Sequence, residues 1–146
     1  PTDARDLICV ALAGRAAELQ EYGEASSGIS SDLAVATTIA SQLVGPLGNG
    51  PGLLSLEAAA IPMAGNLVSK VMSDDPSREA AEAMMKEGAD RAAWMTSNYR
   101  EALLRIADGL CENDELEGAE IKAIVAEYAD VTERRGPVRI APAPTT

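Results

Sequence analysis

Residues 30–47 read SSDLAVATTIASQLVGPL. Leu33, Ala36, Ala40, Leu43 and Leu47 recur at steps of three and four, with Ile39 and Val44 beside them. That is the period of an α-helix with one apolar face. Ser30 or Ser31 is placed to cap its start, and the glycines and prolines from Pro46 to Gly52 end it. No convincing strand alternation occurs here or elsewhere in the chain, so the fold follows from where such helical stripes stop and restart.

Upstream, a helix is expected from Asp3 to Glu21. Leu7, Ile8, Val10, Ala11, Leu12, Ala16, Ala17 and Leu19 surround much of its circumference, which predicts burial. Gly23 supplies its stop, and a polar stretch, Gly23 to Ser31, leads into the quoted helix. Downstream, Ala64, Leu67, Val68, Val71 and Met72 have helical spacing, but Pro62 and Gly65 weaken a long helix, so residues 53–72 predict one or two short ones. Asp75-Pro76 then opens a helix, with Asp75 as cap and Pro76 preorganised for the first helical position. Ala81, Met84, Met85, Gly88, Ala92 and Met95 form its stripe, and Thr96-Ser97-Asn98 kinks it or caps a new helix. Leu103, Ile106, Ala107 and Leu110 make the next stripe, Asn113 to Gly118 turn the chain, and Ile121, Ile124, Val125 and Tyr128 form a last amphipathic helix. Pro137, Pro142 and Pro144 predict a disordered tail over 136–146. The expectation is an all-α bundle of about five or six helices over residues 1–135.

Composition narrows the chemistry. The chain has 146 residues, 47% hydrophobic and 24% charged, with 3% aromatic and no Phe. A core of Ala, Leu, Ile, Val and Met suits close-packed helices. A formal net charge of −11 argues against nucleic acid as a ligand and against contact with an anionic membrane surface. Cys9 and Cys111 read as buried free thiols of a reducing, cytoplasmic compartment rather than a disulfide. No apolar run is long enough to span a bilayer, and no signal peptide is visible. The start at Pro1 reads as a piece of something longer. The chain contains no histidine, which excludes Ser-His-Asp and Cys-His catalysis and a His-rich zinc site within it.

Read from the residues alone, Asp32 is a first-turn acid that favours the helix dipole. One carboxylate cannot by itself make a zinc site. The pairs Asp74/Asp75 and Glu112/Asp114 sit at helix boundaries, where capping or solvation explains them better than acid–base work. Met84, Met85 and Met95 read as core filler rather than a binding surface, and Trp94 as partly buried or at an interface. Residues 45–52 are glycine-rich but lack the Gly-Lys-Ser or Gly-Lys-Thr of a phosphate loop.

Three segments shift this reading. Leu12-Ala13-Gly14-Arg15-Ala16-Ala17-Glu18 is followed by Tyr22-Gly23-Glu24 and then by Ser27-Gly28-Ile29-Ser30-Ser31-Asp32-Leu33, continuing Ala36-Thr37-Thr38-Ile39-Ala40. In order and spacing this series resembles the FtsH-type ATP-dependent zinc metallopeptidases, which carry L-G-G-R-A-A-E, an F-G turn, and S-T-G-A-S-N-D-L leading into A-T-x-I-A. Ser97-Asn98-Tyr99-Arg100 with Leu103, and Glu115 to Ile121, resemble the family's final helices. Ala13 replaces a usual Gly, and Val44 to Asn49 departs from the family's M-S-x-x-x-G-P pattern.

The resemblance implies that the chain is the C-terminal helical part of a peptidase domain. In the family, zinc is held by two histidines of an H-E-x-x-H helix and by the Asp of the S-N-D-L segment, whose match here is Asp32. The Glu of that helix is the base. The H-E-x-x-H helix is absent from this chain. Either the chain is a piece cut downstream of it, or the parent is a degenerate pseudo-peptidase bundle that serves oligomerisation or protein interaction. Without those residues the chain is expected to be inactive alone. For the parent, the resemblance implies an upstream ATPase module that binds ATP, a hexameric ring, protein substrates, and a membrane anchor with this part on the cytoplasmic side.

Overall fold

In a computed structural model, the described residues are 2–50, 52, 55 and 66–135, with side chains described from Ala4 to Tyr128 within that span. They form six α-helices and one 3-10 turn, and no strand. The all-α expectation therefore holds. The helices are α1 (Thr2–Tyr22), α2 (Ser30–Val44), α3 (Leu67–Ser73), α4 (Asp75–Asn98), α5 (Arg100–Asn113) and α6 (Gly118–Arg135), with the 3-10 turn at Ser27–Ile29 between α1 and α2. The expected short helix within 53–72 is seen as α3. The rest of that segment, residues 53, 54 and 56–65, and the tail expected at 136–146 lie outside the described residues.

The chain divides into two compact units, Pro1–Ala92 and Ala93–Thr146. In the first, α1 packs on α2 and α2 on α3. Ile8, Cys9 and Leu12 of α1, Ala36, Ala40, Leu43 and Val44 of α2, Val71 of α3 and Ala81, Met84 and Ala92 of α4 form the core. Full burial of a side chain the size of Ile8 or Leu43 stabilises by about 1.5–3 kcal/mol. Gly88 lets α4 approach α1 closely, because a Cβ there would lie 2.6 Å from Ile8 Cγ2 and 3.4 Å from the backbone nitrogen of Cys9. Arg5 pairs with Glu87 at 2.8 Å, and Arg91 pairs with Asp6, so charge flanks this contact on the solvent side. The hydrogen bond that Arg91 donates to the Asp6 carboxylate, and then the charge of Asp6, raises the Arg91 pKa further above its ordinary range.

In the second unit, α5 packs on α6. Ala102 and Gly109 of α5 are buried, and Leu116 covers Gly109, with its Cδ1 3.1 Å from where a Cβ would stand. α5 ends at Asp114 in the left-handed region, φ 62°.

Several local expectations need correction. The cap of α4 is Asp74, whose carboxylate accepts from the Ser77 N–H at 3.1 Å. Asp75 lies in the first turn and pairs with Arg78, so Pro76 follows the first helical position. α2 stops at Val44, and Leu47 is exposed, as is Leu33 at its other end. Neither belongs to the buried face. Cys9 is buried, but Cys111 is exposed, and both are free thiols.

Candidate metal-ligand turn at the start of α2

α1 ends where expected. Gly23 has φ 77°, a value that suits a residue without a Cβ, and its N–H donates to the Leu19 carbonyl at 3.1 Å. The chain then returns toward α1 by a side-chain tie. The Glu18 carboxylate accepts from the Ser26 N–H at 2.6 Å and from the Ser26 hydroxyl at 2.9 Å. Ser26 Oγ in turn accepts from the Gly28 N–H at 3.3 Å. Ser26, not Ser30 or Ser31, is therefore the cap, and it caps the 3-10 turn. α2 follows directly from that turn with Ile29 at its N-cap and no side-chain cap of its own.

Asp32 stands in the first turn of α2. Residues 30–35 are all exposed, and the buried face begins only at Ala36. Asp32 has no hydrogen bond or ion pair among the described residues. At about 100° per residue, Asp32 shares its side of the helix with Ala36 and Leu43. The opposite side, with Leu33, Ala34, Thr37 and Thr38, faces Val68 and Ser69 of α3 across an open groove of about 540 Å³. Thr37 and Thr38 donate to the carbonyls of Leu33 and Ala34 at 2.7 and 2.8 Å. The groove is thus a separate feature, facing away from Asp32.

Zinc sites in proteins take three or four ligands from His, Cys, Asp or Glu. Among the described residues no group of three such side chains is gathered. Asp32, exposed in the first turn of α2 and without a partner among the described residues, offers one oxygen donor, and one carboxylate does not by itself make a zinc site. Asp74 caps, Asp75 pairs with Arg78, and Glu112 and Asp114 are exposed at the end of α5. The Glu18–Ser26 tie was not read from the sequence as a structural element. The signal for it was present in Glu18 and in the Ser26-Ser27-Gly28 turn, because serine hydroxyls bond locally to backbone amides.

The order of these parts, from the Glu18 helix through the anchored turn to the Asp32 helix start, is that of the peptidase segment whose motifs this chain resembles. The chain belongs to peptidase family M41, whose family profile matches residues 2–124. It is 34% identical over 127 residues to the ATP-dependent zinc metalloprotease FtsH 1 of Methylacidiphilum infernorum, covering 82% of this chain and 20% of that protein. It is 35% identical over 126 residues to FtsH 1 of Symbiobacterium thermophilum, covering 84% and 20%. It is 29% identical over 140 residues to FtsH of Methylococcus capsulatus, covering 87% and 21%. The chain thus spans about a fifth of the length of these relatives. No helix among the described residues is long and apolar enough to cross a membrane.

Proposed function

We propose that this chain is the C-terminal helical part of the peptidase domain of an ATP-dependent zinc metalloprotease that degrades proteins, with Asp32 as its third zinc ligand. The observation that carries the reading is Asp32 itself, exposed in the first turn of α2 and without a partner among the described residues, at the position of the Asp in the family's S-N-D-L segment. The named relatives are zinc- and ATP-dependent by their names, and the M41 match covers most of the chain.

Bound zinc supplies Lewis acidity at a scissile carbonyl. The chain's own contribution is one anionic oxygen donor, set on a helix start and backed by the packing of α2 on α1. The two histidines and the Glu base belong to an H-E-x-x-H helix elsewhere in the parent, and ATP to a separate ATPase module. On this reading the parent works as a homo-oligomeric, hexameric ring on protein substrates. It is membrane-anchored, with this part on the cytoplasmic side.

The test is Asp32→Asn in the intact parent. Zinc content and proteolysis should fall together, while the thermal unfolding of the helices stays within about 1 kcal/mol of wild type, as for an exposed substitution. Normal zinc occupancy and turnover in that variant would sink the assignment. A parent whose coding sequence lacks H-E-x-x-H would instead favour a pseudo-peptidase bundle for oligomerisation or protein interaction, with Asp32 reduced to a helix-start acid.

A further inference from the structure

We draw no further inference here: the strongest candidate, the outward face of α1 where Leu7 and Val10 are exposed and Gly14 has open space beside it, is an unpartnered apolar face, and nothing in the structure shows what covers it.

Discussion

At the scale of single residues, the two cysteines separate cleanly. Cys111 is exposed and Cys9 buried. An alkylating reagent should therefore label Cys111 in the native protein and Cys9 only on unfolding, since reactivity needs an accessible thiolate. Burial pushes the Cys9 thiol up, with Arg91 opposing and Asp6 adding to the rise. The sign follows from linkage. As pH rises past about 8.5 the unfolded thiol ionises while the folded one stays neutral, so the stability that Cys9 contributes is full below that pH and declines above it. Urea midpoints at about pH 8 and 10 should fall further for the wild type than for Cys9→Ala; equal declines would contradict the assignment. Ser41 makes the complementary case. It is fully buried, and its hydroxyl has no hydrogen-bond partner among the described residues. Ser41→Ala should raise stability by about 1–3 kcal/mol, the cost of an unsatisfied buried polar group, read as a shift in the denaturation midpoint.

At the scale of elements, close approach matters more than propensity. A Cβ at Gly88 would meet Ile8 Cγ2 at 2.6 Å. Ile8 is fully buried, and its β-branch holds χ1 stiffly. Gly88→Ala gains about 1 kcal/mol of helix propensity but overpacks at about 1–3 kcal/mol, so a net loss of about 1 kcal/mol is expected. Gly14 has nothing within 4 Å of a Cβ, and Gly14→Ala should stabilise by about 0.5–1 kcal/mol. Thermal melts of the two variants should therefore move in opposite directions, and a joint rise would show that Ile8 yields. The helix boundaries were legible because apolar period and turn residues act locally. α1 matched its expected range to within a residue at each end, and Gly23 marks its end. The caps were less legible. Asp74 and Asp75 are equally good capping types, and only the backbone direction leaving α3 decides that Asp74 reaches the Ser77 N–H. Ser30 and Ser31 read as caps for the same reason, yet the 3-10 turn extends the helical path back to Ser26.

At the scale of the whole molecule, the chain lacks histidine and gathers no metal cluster among its described residues. The purified chain should therefore leave an unstructured protein substrate such as casein uncut, with or without added zinc, because a lone carboxylate does not make a zinc site and the chain has no histidine to complete one. Zinc-dependent cleavage by the chain alone, abolished by a chelator, would overturn this. The sequence by itself determined the class of fold, since helical period, caps and glycine stops are properties of neighbouring residues. It also determined the family, since the motif from Leu12 to Ala40 is an ordered string of residue types. The tertiary structure alone decided which apolar residues are core. Leu33 and Leu47 satisfy the same period as Ala36 and Leu43 but stay exposed, and Cys111 shares the chemistry of Cys9 without its cover. It also decided that Glu18 holds the turn before Asp32, because that bond joins α1 to the segment beyond Gly23 and depends on how the chain doubles back there, which no helical periodicity encodes.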